Sequence, residues 1–277
     1  MSAYVLSASQ LYQRQQYKPV RLLRALMKDP TTGEQDNHAG DMIAGTLNLD
    51  LDDEGSDHRG GGAHTLPALP AMEALLTQLG IARDTELVVY DNRGIFCAPR
   101  VWWMLKSLGH YSAHVLDGGL PDWIAHGFAV VPSPADIVSR PSYMAVPAAD
   151  WFVNADQVAD AIHSDTQIID ARGPGRFYGR EPEPRAGVRP GHIPGSFNLH
   201  YQQVLRAGKF RPVSELSALF SQTGIDLSKP VICSCGSGIT ACIIGMAALM
   251  CGATAVSVYD GSWAEWGSDK SRPVETD

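Results

Sequence analysis

Cysteine is scarce in this sequence, basic charge is in deficit, and no apolar run is long. Each shortage closes off a class of protein. Five cysteines in 277 residues are too few for a disulfide-stapled scaffold and suit a reduced compartment. Lys and Arg number 22 against 30 Asp and Glu, a formal net charge of −8. That balance argues against nucleic acid or an anionic membrane surface as a partner, since both bind a basic face. No stretch approaches the ~18 consecutive apolar residues that span a bilayer. The opening "MSAYVLSASQLYQRQQYKPV" has no basic segment followed by an apolar core, so it does not read as a secretory signal. With 44% hydrophobic and 19% charged residues, the chain is expected to be a cytoplasmic globular protein of one large or two ordinary domains.

What the chain does have is a repeat. The segment 85–123, "TELVVYDNRGIFCAPRVWWMLKSLGHYSAHVLDGGLPDW", lines up with 229–266, "KPVICSCGSGITACIIGMAALMCGATAVSVYDGSWAEW". In both, a β-rich run meets a glycine-containing loop and then an apolar helix that stops at Gly109 or Gly252. A second short strand follows, ending in Asp-Gly, with Trp123 or Trp266 six residues after that aspartate. "VRLLRALM" pairs more weakly with "QIIDARGP", and "AGDMIAGTLNLD" with "PGHIPGSFNLH", at a similar offset. Self-similarity at a constant spacing predicts a duplicated domain. The boundaries expected are 1–132 for the first copy, an extended proline-rich connector over 133–150, and 151–277 for the second copy. Strand runs alternate with amphipathic stretches such as "LPAMEALLTQLG" and "NADQVADAIHS", which predicts an α/β fold, each copy a mainly parallel central sheet flanked by helices.

Cys235 stands where the strand-like "VICS" runs into "CGSGIT". In a parallel α/β sheet that is the carboxyl end of a strand, where ligands bind. Gly236 and Gly238 permit the dihedrals of a loop whose N–H groups, over residues 236–240, converge on an anion at a helix start. A thiol there favours the thiolate, which is the nucleophilic form. The same residue also fits a packed cysteine in a strand–helix turn, because free cysteines are among the most buried residues. The first copy carries Asp91 at this position, so only the second copy is expected to do chemistry.

The segments "CGSGIT", "IIDARGPGRF", "EPEPRAG", "GHIPGSFNL" and "YDGSWAEWG", with "VVYD", "CAPRVWW" and "LDGGL" in the first half, resemble the two-domain sulfurtransferases of the rhodanese superfamily over nearly the whole chain. Within it, a "CGSG[VI]T" loop resembles the branch that uses 3-mercaptopyruvate, whereas "CRKGVT"-like loops accompany thiosulfate. The resemblance implies a persulfide on Cys235, release of pyruvate, and transfer of the sulfane sulfur to a thiol, such as a thioredoxin-like protein, or to cyanide. It implies a cradle from Gly236, Ser237, Gly238, Ile239 and Thr240, and two substrate-gripping arginines at Arg176 and Arg185. It also implies a proton-handling group of Ser237, His64 in "GGGAHTLP" and an aspartate from "NLDLDDEG", where Asp52 is favoured over Asp50 and Asp53. Histidine from one half and cysteine from the other imply a cleft site between domains. No cofactor and no metal are implied.

The first half departs from the family pattern twice: Arg24 and Leu26 stand for an Asp and an Arg in "LLRALM", and "GDMIAG", with Asp41, stands where "GHIPGA" is usual, so a structural change is expected there. Arg172 reads as an ion pair within its own domain and Arg180 as a solvated loop charge. Cys97, Cys233, Cys242 and Cys251 read as packing, with a redox role for Cys233 as the competing view. A Cys-x5-Arg phosphatase fails because Ala241 is the sixth residue after Cys235; a P-loop fails for want of lysine, and Gly-x-Ser-x-Gly is absent. Two other readings stand: a thiosulfate sulfurtransferase, disfavoured by a loop without cationic side chains, and a sulfur carrier without turnover.

Overall fold

The computed structural model describes residues 4–277 apart from 31, 35–39, 60–62, 138 and 149. Ala39 and the glycine run just before His64 therefore lie outside the described residues. The chain divides into two compact units. The first comprises Met1–Asp57, Leu66–Ala148 and Ala207–Lys209; the second comprises His58–Thr65, Ala149–Arg206 and Phe210–Asp277.

In the first unit, strands β1 (Val5–Leu6), β2 (Arg21–Leu26), β3 (Thr46–Asp50), β4 (Leu87–Tyr90) and β5 (Ala113–Leu116) form one sheet in the order β1-β5-β4-β2-β3. Helices α1 (Ala8–Gln15), α2 (Leu69–Gln78), α3 (Ala98–Ser107) and α4 (Gly119–Ala125) connect them. In the second unit, β6 (Phe152–Val153), β7 (Gln167–Asp170), β8 (Phe197–Asn198), β11 (Val231–Ser234) and β12 (Val256–Tyr259) take the order β6-β12-β11-β7-β8. Strands β9 (Leu205–Arg206) and β10 (Lys209–Phe210) are two residues each. The helices are α5 (Ala155–Ala161), α6 (Pro174–Phe177), α7 (Val213–Gln222), α8 (Ala241–Met250) and α9 (Ser262–Trp266). Both five-stranded sheets are parallel throughout, and position for position they share one topology. The protein is thus an α/β chain of two parallel sheets flanked by helices.

Local chemistry repeats as well. Ser7 caps α1 and Asn154 caps α5, each in a reciprocal capping box with a glutamine three residues on. The central strands β4 and β11 are buried at every residue, because helices cover both faces of a parallel sheet. Helix α8, apolar on all sides, is buried from Ala241 to Leu249. Leu11, Leu22, Val88 and Trp123 belong to the core of the first unit; Val158, Ile168, Ile232 and Trp263 belong to that of the second. Each such side chain removed from water stabilises by about 1.5–3 kcal/mol.

The departure at Arg24 has a simple outcome. In the second unit, Arg172 reaches back to donate to the Gly191 carbonyl at 2.7 Å, tying a loop to the sheet. In the first unit, the carbonyl at the matching loop position, that of Asp41, accepts from Arg24 Nη1 at 3.2 Å. Arg24 occupies the register place of Asp170: it pairs with Asn48 across β2 and β3 as Asp170 pairs with Asn198 across β7 and β8. Its Nε donates to Asn48 Oδ1 at 2.9 Å. The loop tie is kept, with a guanidinium delivered from the strand rather than from the loop after it.

Candidate functional site

Cys235 follows β11 directly and is 2% exposed. Its backbone is clamped by the segment that enters α9: Trp263 N–H donates to the Cys235 carbonyl at 2.9 Å, and Ala264 N–H to that of Gly236 at 3.0 Å. The Cys235 amide donates to Ser262 Oγ at 3.2 Å, and that hydroxyl donates onward to the Tyr259 carbonyl at 2.9 Å. Ser262 is fully buried and has a φ of +49°, in the left-handed region that disfavours a side chain. A strained residue held against the nucleophile's amide is a feature that composition and periodicity gave no reason to single out.

The loop 236–240 then turns into α8. Among the described residues, the amides of Gly236, Ser237, Ile239 and Thr240 donate to no protein acceptor. Gly238 takes a φ of +77°, as the loop reading expects. Gly236 does not; its requirement is room. A Cβ on Gly236 would stand 3.1 Å from Arg176 Nη2 and 3.6 Å from Nη1, so the guanidinium lies against the bare backbone next to Cys235.

The first unit displays what such a loop holds. Asp91 directly follows β4, as Cys235 follows β11, and its side chain turns into its own loop. Oδ2 accepts the amides of Phe96, Cys97 and Ala98 at 2.9, 3.0 and 2.9 Å, and Oδ1 accepts that of Arg93 at 2.9 Å. The loop is an anion cradle closed on its own carboxylate.

Around Cys235 the cations are graded. Arg172 is held at Asp170 (2.6 Å) and Glu183 (2.9 Å); burial opposes its charge, but the two carboxylates raise its pKa above the ordinary value. The expected ion pair within its own unit is present, and the guanidinium also lies over Trp263. Arg176 shares Glu183, through Nε at 3.1 Å and Nη2 at 2.5 Å. The Arg185 side chain forms no hydrogen bond or ion pair among the described residues. Burial first, and the Arg176 charge second, lower its pKa, while Cys235 and Glu183 act the other way. Arg180 is exposed at the surface over the Tyr178 ring. Arg185 also lines a cavity of about 860 Å³ with Ala63, Thr65, Gly261 and Ala264.

His64 joins the same unit. Its φ is +58°, and its Nδ1 is 3.2 Å from Ser237 Oγ. The first sequence half thus supplies the histidine, yet the segment His58–Thr65 belongs to the second compact unit. Asp52 stays with the first unit, where its Oδ2 accepts the Lys28 amide at 2.6 Å and its amide donates to Asp50 Oδ1. Asp50 has a pKa raised by burial and by its acidic neighbours. Cys233 is fully buried in β11, and burial pushes its thiol well up, which argues against a nucleophilic or redox part for it. Glu183, bridging Arg172 and Arg176, is the site residue that sequence reading missed; its place between two prolines in "EPEPR" was the available signal.

The chain is similar to known proteins over most of its length. The rhodanese-like domain family matches residues 10–126 and 154–269. A 3-mercaptopyruvate sulfurtransferase from Rattus norvegicus is 36% identical over 256 residues, 90% of this chain and 85% of that one. A thiosulfate sulfurtransferase from Cricetulus griseus is 41% identical over 209 residues, 73% of this chain and 69% of that one. The crystal structure of SseA from Escherichia coli, described with the fold and mechanism of 3-mercaptopyruvate sulfotransferases, superposes with a TM-score of 0.85 at 30% identity. It covers 95% of this chain and 99% of that chain.

Proposed function

The chain belongs to the rhodanese family, with two rhodanese-like domains, and from that premise we propose that it is a 3-mercaptopyruvate sulfurtransferase working through a Cys235 persulfide. The observation that carries this reading is the contrast between the two cradles. The loop of the first unit is filled by Asp91, while among the described residues the amides of Gly236, Ser237, Ile239 and Thr240 beside Cys235 meet no protein acceptor. Such a loop suits a transient anion on the nucleophile itself.

In the proposed reaction, the Cys235 thiolate attacks the sulfur of 3-mercaptopyruvate. An S–S bond forms and the bond from sulfur to C3 breaks, its electron pair passing into the enolate of pyruvate. The thiol proton of the donor is in effect relocated to C3, and the Ser237–His64 pair, 3.2 Å apart, is the group that carries it. Arg185 and Arg176 grip the donor's carboxylate and ketone, for which planar guanidinium groups are suited. The amides of Gly236 through Thr240 receive the persulfide anion. An acceptor thiolate then attacks the outer sulfur, the S–S bond breaks, and Cys235 returns as thiolate. A thioredoxin-like protein is the proposed acceptor.

Relatives include users of both donors. The loop 236–240 offers no cationic side chain, which favours a singly charged donor over the thiosulfate dianion. Among the described residues no helix is long and apolar enough to cross a membrane, and all five cysteines are free thiols, which supports a cytoplasmic setting. Steady-state assays with each donor, cyanide as acceptor and pyruvate as readout test the proposal. Higher kcat/KM with 3-mercaptopyruvate is expected; higher kcat/KM with thiosulfate would reassign the donor, and no turnover with either would leave a carrier.

A further inference from the structure

We infer that Glu183 is a positioning residue that also sets the net charge of the donor site, and with it the preference between singly and doubly charged sulfur donors. This rests on the reading that the site takes an anionic donor on Cys235. The Glu183 side chain is 4% exposed and lies between two guanidinium groups. Oε1 accepts from Arg172 Nη1 at 2.9 Å and from Arg176 Nε at 3.1 Å; Oε2 accepts from Arg176 Nη2 at 2.5 Å. The second contact is a fork on one edge of the Arg176 guanidinium, which fixes its plane. The same guanidinium lies against the backbone beside Cys235, its Nη2 3.1 Å and its Nη1 3.6 Å from where a Gly236 Cβ would stand. Glu183 therefore determines both where Arg176 sits and how much of its charge is already compensated.

Charge follows from the same contacts. Before the Cys235 thiolate is counted, the guanidinium groups of Arg172, Arg176 and Arg185 exceed the carboxylates of Asp170 and Glu183 by one charge, and the Arg185 side chain is the one with no ion pair among the described residues. With the Cys235 thiolate also present, a donor bearing one negative charge is accommodated more readily than one bearing two. Thiosulfate brings a second negative charge into a half-buried place where Glu183 repels it.

The test compares wild type with Glu183→Gln and Glu183→Asp, measuring kcat and KM for 3-mercaptopyruvate and thiosulfate separately. Glu183→Gln removes the charge at nearly constant shape. The ratio of kcat/KM for thiosulfate to that for 3-mercaptopyruvate is expected to rise on the order of tenfold, as removal of one nearby charge favours the dianion. Glu183→Asp keeps the charge but shortens the fork, so KM for both donors rises while the ratio stays within about twofold of wild type. The ratio is independent of the fraction of enzyme folded, so a merely structural role lowers both donors alike and leaves it unmoved. An unchanged ratio in Glu183→Gln, or an equal shift in Glu183→Asp, overturns the inference. If Glu183→Gln yields no folded protein, Glu183→Asn, which also removes the charge, decides: a raised thiosulfate-to-3-mercaptopyruvate ratio supports the inference, and an unchanged ratio overturns it. Wild type inactive with both donors would instead refute the sulfurtransferase reading on which this rests.

Discussion

Removing the Asp91 carboxylate tests the idea that these loops are built around an anion. Asp91 is 1% exposed and holds four backbone amides at 2.9–3.0 Å. Asp91→Ala leaves all four facing a hole about the size of a carboxylate. A buried amide without a partner costs roughly 1–3 kcal/mol, and a water entering the hole satisfies one or two of the four. The net loss is therefore about 4 kcal/mol, a fall in Tm of roughly 10–15 °C for a unit of this size. Thermal melts give the total, and hydrogen exchange read on 91–98 shows that the loss begins in this loop. Cys235→Ala is the control: no hydrogen bond to its sulfur occurs among the described residues, so only a small change in buried volume is felt, about 1 kcal/mol. Destabilisation of less than about 1 kcal/mol in Asp91→Ala would refute the cradle reasoning.

Ser262→Gly separates stability from activity at the entry to α9. Glycine relieves a left-handed φ worth about 1 kcal/mol or more, which offsets much of the roughly 1–3 kcal/mol for the orphaned Cys235 amide, so Tm falls by no more than a few degrees, while loss of the hydroxyl that accepts that amide slows sulfur loading severalfold; stopped-flow pyruvate release reads the rate, and unchanged loading would contradict the positioning role. Burial lowers the Lys106 pKa to about 8, against 10.5 in the unfolded chain. Between those values the unfolded chain holds a proton that the folded one lacks, so stability rises with pH across this window; melts at pH 7.5 and 9.5 should show a smaller rise in Lys106→Met, and an identical rise would place the amine elsewhere.

Much of this protein is legible in its sequence because two copies report on each other. Strand–loop–helix units around Asp91 and Cys235 align without a structure, and the two sheets have identical strand order. The Arg172 ion pair was readable from its closeness to Asp170. What escaped is set by spatial neighbours rather than by pattern. Gly236 looked like a turn glycine, but its reason is the guanidinium of Arg176, sixty residues earlier. His64 belongs to the first half by position in the sequence, whereas its contacts group it with the second unit. Arg24 looked like a lost acid; the register against Asn48 shows a relocated arginine serving the same loop. Ser262 carries strain that no propensity scale foretells.

The central claim is that Cys235 carries the sulfur, and intact-mass spectrometry tests it most directly. Wild type and Cys235→Ser are each mixed with 3-mercaptopyruvate, with pyruvate assayed in parallel. The account predicts a gain of one sulfur atom, about 32 Da, on wild type alone, with one pyruvate per sulfur loaded. A gain of equal size on Cys235→Ser, or pyruvate release without any gain on wild type, would contradict it.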